Sequence, residues 1–123
     1  MGPYLVDTQG RTLYVYTKDQ ANQSICYNSC VVKWPPLLLC NTQGFRASNI
    51  NIQLLGYTQR QDGSQQVTFN GFPLYYYYKD ATPGMIAGQT VDAAWYVISP
   101  TGQPHGVVIS CFSSHGLENV ILI

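Results

Sequence analysis

GRTLYVYTKD at residues 10–19 and GFPLYYYYKD at residues 71–80 are two copies of one phrase. Gly10, Leu13, Tyr14, Tyr16, Lys18 and Asp19 return as Gly71, Leu74, Tyr75, Tyr77, Lys79 and Asp80, each 61 positions later (71 − 10 = 61). The same interval separates Val6 from Val67 and Trp34 from Trp95. A repeat that keeps its spacing across a tryptophan predicts a fold made of two copies of one unit packed together. A chain of 123 residues suits a single domain with a real core. We place repeat one at 4–55, repeat two at 56–102 and an added segment at 103–123.

The local patterns are mostly β. Tyr4-Leu5-Val6 reads as a short strand, turned by Asp7-Thr8-Gln9-Gly10. Thr12 to Thr17 alternates Leu13 and Val15 against Tyr14 and Tyr16, the period of a strand. In the second copy Gln65–Phe69 and Phe72–Tyr78 are expected strands around the two-residue turn Asn70-Gly71. Asp62-Gly63 is expected to join Leu55–Gln61 to Ser64–Phe69 as another tight hairpin. Ala94–Ser99, Val107–Phe112 and Asn119–Ile123 are further expected strands. Helix is scarce: Cys26–Trp34 suits a short helical turn, stopped by Pro35-Pro36.

Composition narrows the function classes. Only 10% of residues are charged, against about 25% in an average soluble chain, and six basic residues balance six acidic ones. Without a basic run or net positive charge, nothing attracts a nucleic acid. No apolar stretch reaches the ~18 residues of a membrane span. Met1-Gly2-Pro3 leads straight into an expected strand, with no basic and apolar leader, so the chain reads as mature or trimmed.

Four cysteines in a short polar chain favour disulfides in an oxidising compartment. Three pairings are open. Cys26–Cys30 with Cys40–Cys111 is preferred, because the first pair can close over one turn of chain. A zinc site would need His105 or His115, and C-x3-C is not the usual knuckle spacing.

Several elements together identify a likeness. LVDTQGRTLYVYTKD, the C-x3-C pair, KWPPL, NGFPLYYYYKD and AAWYVISPTGQ resemble the bacterial secreted lipoproteins of the Yx(FWY)xxD repeat type, over residues 4 to about 102. The two motifs are Tyr14-Val15-Tyr16-Thr17-Lys18-Asp19 and Tyr75-Tyr76-Tyr77-Tyr78-Lys79-Asp80. The resemblance implies an exported two-repeat β domain, extracellular or at the cell surface, and no established activity. Cys40, Cys111 and the residues after Gly102 are additions to that pattern.

The candidate sites are few. Tyr75 to Tyr78 put two rings on each face of a strand. They suit either a core and its packing contacts, or a platform for a sugar, metal or redox cofactor. Asp19 and Asp80 stand where an Asx turn or a cap would link strand to turn. As metal carboxylates they would have to meet across the two copies. Trp34 is expected to be buried beside Pro35-Pro36, with Trp95 in the matching place. No paired carboxylates, phosphate loop or nucleophile motif surround His105 or His115, so no enzyme activity, metal or cofactor is expected. Asn22-Gln23-Ser24 is a sequon in a polar loop, a candidate glycan acceptor.

Val120-Ile121-Leu122-Ile123 are four uncharged apolar β-formers. Such a strand must be covered on both faces. It either folds back into its own domain or completes the sheet of the next copy, which generates rings or fibres. Two functions therefore compete: a structural subunit that polymerises with copies of itself, and a monomeric binding module using the tyrosine face.

Overall fold

The computed structural model describes residues 4–7, 9–39, 45–48, 52–98 and 107–111. In chain order these residues form β1 (Leu5–Asp7), β2 (Tyr14–Tyr16), helix α1 (Ser29–Lys33), β3 (Phe45–Ser48) and a 3-10 turn (Ile52–Leu54). Then follow β4 (Leu55–Gln59), β5 (Gln65–Phe69), β6 (Phe72–Pro73), a 3-10 turn (Val91–Ala93), β7 (Trp95–Val97) and β8 (Val107–Cys111). The protein is mostly β, as its alternation implied. The strands pair as β1-β8-β3, β2-β7 and β4-β5-β6. Within the first group β8 runs parallel to β1 and antiparallel to β3.

The two copies meet at equivalent residues. Tyr14 N–H donates to the Tyr75 carbonyl at 2.8 Å, and Tyr75 N–H donates to the Tyr14 carbonyl at 2.9 Å. An antiparallel bridge between matching positions of a repeat defines a pseudo-twofold axis through that pair. The flanks obey the same operation. Thr17 N–H reaches the Ala94 carbonyl at 2.8 Å, and Tyr78 N–H reaches the Lys33 carbonyl at 2.8 Å. β7 lies beside β2 as Trp34–Pro36 lies beside Tyr75–Tyr77.

Proline explains where the copies differ. The return strand expected over Phe72–Tyr78 is regular only at Phe72–Pro73, with isolated bridges at Tyr75, to Tyr14 on one side and to Pro36 on the other. Tyr76 N–H donates to the Pro35 carbonyl at 2.7 Å. Pro35 has no N–H to return, so the ladder cannot close there. In the other copy Tyr96 faces Val15 and β7 is continuous.

The turns account for a shift of register. Asn70 (φ 50) and Gly71 (φ 82) make the expected two-residue turn between the paired Phe69 and Phe72. In copy one, Asp7 N–H bonds to the Arg11 carbonyl, leaving three residues in the loop (11 − 7 − 1 = 3). Gly10, at φ 83, closes it. The extra residue makes Leu5, not Val6, the partner of Val67. Leu13 N–H bonds to the Leu5 carbonyl as Leu74 N–H bonds to the Val67 carbonyl. The 61-residue match of Val6 with Val67 is thus one position out of structural register. Asp62-Gly63 also departs from expectation. Arg60 pairs with Ser64 around a three-residue loop, with Gly63 at φ 89 and Ser64 N–H held by the Asp62 carboxylate at 2.9 Å.

Both faces of the central ribbon are covered. Leu13, Val15 and Leu74 join Leu5, Leu37, Val67 and Phe69 in an aliphatic layer. Tyr14, Tyr75 and Tyr77 join Trp34, Trp95, Ala94 and Cys26 in an aromatic layer. Strict alternation along the motif feeds the two layers. α1 stops at Trp34, immediately before Pro35-Pro36, as expected. Cys26 and Cys30 are disulfide-bonded, with Cα atoms 5.3 Å apart. The expected Cys40–Cys111 bridge lies outside the described residues at Cys40, and His105, His115 and Val120–Ile123 also lie outside them.

Gly71→Ala places a side chain at a left-handed position and is expected to destabilise the protein by about 1–2 kcal/mol. Urea denaturation, with an unchanged denaturant slope, measures it.

Candidate functional site

The motif tyrosines and aspartates exchange partners between copies. Tyr14 hydroxyl donates to Asp80 Oδ2 at 2.6 Å, and Tyr75 hydroxyl donates to Asp19 Oδ2 at 2.7 Å. The other carboxylate oxygen in each case receives a loop N–H. Ile25 donates to Asp19 Oδ1 and Ala87 to Asp80 Oδ1, both at 2.8 Å. This corrects the expectation of an Asx turn or cap. The bonds run six and seven residues forward (25 − 19 = 6; 87 − 80 = 7) and across the axis, not two residues along a local turn. Each aspartate fastens its own loop to the other copy's strand.

Around this exchange the aromatic rings form a column. Tyr16 stacks on Trp95 at 4.2 Å, Trp95 on Trp34 at 3.8 Å, and Trp34 on Tyr77 at 4.2 Å between ring centroids. The tryptophans lie almost parallel, at 2°, across the axis. Tyr14 meets Trp34 edge-on at 5.4 Å, and Tyr75 meets Trp95 edge-on at 5.1 Å. The Tyr16–Trp95 and Trp34–Tyr77 contacts are mates, as are the two edge-on contacts, whereas Tyr14–Tyr77 at 6.2 Å and Tyr77–Tyr78 at 5.2 Å have no counterpart among the described residues. Gly88 allows the approach: a Cβ there would stand 2.8 Å from Trp34 Cη2 and 3.0 Å from Tyr14 Cζ.

The environments of the two exchanged pairs differ. Tyr14 hydroxyl also accepts Gly88 N–H at 3.1 Å. Tyr75 hydroxyl instead contacts Ser24 Oγ, which in turn accepts from Arg60 Nη1 at 3.0 Å. Arg60 is buried. It donates to Gln66 Oε1 at 2.7 Å and to the Cys26 carbonyl at 2.6 Å, and lies over the Tyr27 ring at 4.3 Å. Gln66 Nε2 then bonds to the Leu74 carbonyl at 2.8 Å. Sequence reading missed Arg60 and Gln66. A lone arginine after a polar strand carries no motif, and only its burial marks it.

Burial, reinforced by the adjoining carboxylates, pushes the phenols of Tyr14, Tyr75 and Tyr76 far above the ordinary tyrosine range. Burial likewise holds Asp19 above the usual carboxylate range, opposed by the Ile25 N–H, the Tyr75 hydroxyl and the Arg60 charge.

The remaining tyrosines divide as alternation requires. Tyr76 faces the aliphatic layer, its hydroxyl on Asp7 Oδ2 at 2.7 Å and its ring under Arg11. Tyr78 is 48% exposed. Asn22 is exposed at the tip of a turn closed by Gln20 and Gln23, at φ 57. Among the described residues no three His, Cys, Asp or Glu side chains gather for a metal. Beside the column lies a cleft of about 230 Å³, lined by Tyr16, Ser29, Cys30, Lys33, Trp34, Asp92 and Trp95.

Tyr14→Phe and Tyr75→Phe each remove a donor from a carboxylate and are expected to lower stability by about 1.5–3 kcal/mol. Tyr78→Phe is expected to change it by less than about 0.5 kcal/mol. Alkali provides a second check. The folded-state values of Tyr14, Tyr75 and Tyr76 lie above their unfolded values. The stability they contribute is complete below the ordinary tyrosine range and is lost as pH rises through it and beyond. Three of the ten tyrosines should therefore ionise only in a cooperative step that coincides with loss of the circular dichroism signal.

No helix among the described residues is long and apolar enough to cross a membrane. No curated protein and no solved structure matches the chain. The family described as a secreted repeat of unknown function matches residues 1–38 and 56–99, one segment over each copy of the motif. Its secreted character places the protein outside the cell or at the cell surface, the compartment in which the Cys26–Cys30 disulfide persists. The chain belongs to this Lipoprotein_15 family and carries its secreted repeat twice.

Proposed function

We propose that this protein is a non-enzymatic extracellular structural subunit that assembles with copies of itself by β-strand addition. The observation that carries the non-enzymatic part is the use made of its reactive-looking groups. The tyrosine hydroxyls and carboxylates of both motifs are spent on one another across the pseudo-twofold axis. Each carboxylate holds a phenol on one oxygen and a loop N–H on the other, which commits it to joining the copies. The aromatic column likewise turns its tryptophan faces inward, as core rather than platform.

Two features favour assembly. Among the described residues β4 is an edge strand of its sheet, with Tyr57 53% exposed upon it. Val120–Ile123 supplies four apolar β-formers without a charge. An edge strand offers a row of backbone donors and acceptors to an incoming strand. Addition of that apolar run to the β4 edge of a second copy is heterologous, so it propagates into rings or filaments.

Removal of residues 117–123 tests this reading. The intact chain is expected to elute as a concentration-dependent series of oligomers and to show filaments or rings by negative-stain microscopy. The shortened chain is expected to elute as a monomer. Monodisperse monomers from both would end the assembly reading.

A further inference from the structure

The cleft beside the aromatic column plays no part in the structural role. We propose that it binds one neutral sugar unit, such as the end residue of a glycan.

Three observations lead there. First, Trp34 and Trp95 both line the cleft, and each is only 3% exposed. Their rings give the cleft an apolar wall. Second, the column is capped unequally. Tyr78 packs at right angles against Tyr77 at 5.2 Å, whereas the position matching Tyr78 is Thr17. Tyr16 therefore ends the column with no further ring over it among the described residues, and Tyr16 lines the cleft. An aromatic face that carries negative charge density attracts the C–H groups of a sugar ring. Third, the exposed charges of the cleft oppose one another. Lys33 and Asp92 both line it, joined by the exposed hydroxyl of Ser29. An anion gains from Lys33 and loses to Asp92, and a cation does the reverse. A neutral polyol gains from both, because its hydroxyls donate to the carboxylate and accept from the ammonium.

The size agrees. About 230 Å³ lies below the usual range of roughly 300–1,000 Å³ for drug-sized ligands, so the cleft takes a single ring rather than a chain. This reading is independent of polymerisation, since a subunit of either oligomeric state presents the same cleft.

Tryptophan fluorescence provides the test, because the two tryptophans of the chain are the two in the cleft. The full chain is titrated with free glucose, galactose, mannose and N-acetylglucosamine, and with ethylammonium and acetate as cationic and anionic controls. A saturable change with at least one sugar and none with the controls is expected. Asp92→Gly removes the carboxylate and suits the backbone there, which has φ 54. It is expected to weaken binding by at least about tenfold, with an unchanged circular dichroism spectrum. Lys33→Ala, at an exposed helix end, is expected to weaken binding as well. The proposal is overturned if no sugar saturates the signal, if ethylammonium or acetate matches the sugars, or if both variants bind as the parent does.

Discussion

Everything in this structure depends on the reciprocal join at Tyr14 and Tyr75. Two backbone hydrogen bonds unite equivalent residues, and two phenol–carboxylate bonds then cross over them. Neither copy can satisfy its own aspartate. Asp19 needs the phenol of Tyr75, and Asp80 needs that of Tyr14. A buried carboxylate without a donor is among the more costly defects a protein can hold. The exchange therefore makes each repeat incomplete alone and binds the halves into one cooperative unit, even though few charged residues are available to do it.

The aromatic column extends the same logic to packing. Stacked and edge-on ring pairs each add about 0.5–1.5 kcal/mol beyond the area they bury. Here the contacts come in symmetric pairs, so one gene-level pattern of Tyr, Trp and Asp is used twice in the same core. The two copies diverge where function or chain chemistry requires it. Pro35 and Pro36 interrupt one ladder while Tyr96 and Val97 continue the other. Arg60 braces the Tyr75 exchange through Ser24, whereas Gly88 braces the Tyr14 exchange through its N–H. The column diverges likewise, with Thr17 at the place of the ring that Tyr78 packs on Tyr77 in the other copy.

A protein organised this way has its reactive groups turned inward and its variable features at the surface. A polar, weakly charged exterior, an internal disulfide and a core of exchanged hydrogen bonds suit a molecule that must persist outside the cell. Among the described residues edge strand β4 and the cleft beside Tyr16 are on different elements of that scaffold and share no residues.

The sequence by itself determined the duplication, the β class, the alternation of Leu13 and Val15 against Tyr14 and Tyr16 and the Asn70-Gly71 turn, and it favoured the Cys26–Cys30 bridge and the burial of Trp34. Each is written in local spacing, and backbone sterics or strand period read it directly. Tertiary structure alone decided that Asp19 and Asp80 serve the opposite copy, because residues 56 and 66 positions from their partners (75 − 19 = 56; 80 − 14 = 66) meet only once the axis exists. It also decided the slip of Leu5 onto the place of Val67, since loop length shifts register without altering any motif. The engagement of Arg60 and Gln66 belongs there too. Their role comes from burial beside Tyr75, and burial is a property of the assembled fold rather than of any run of residues.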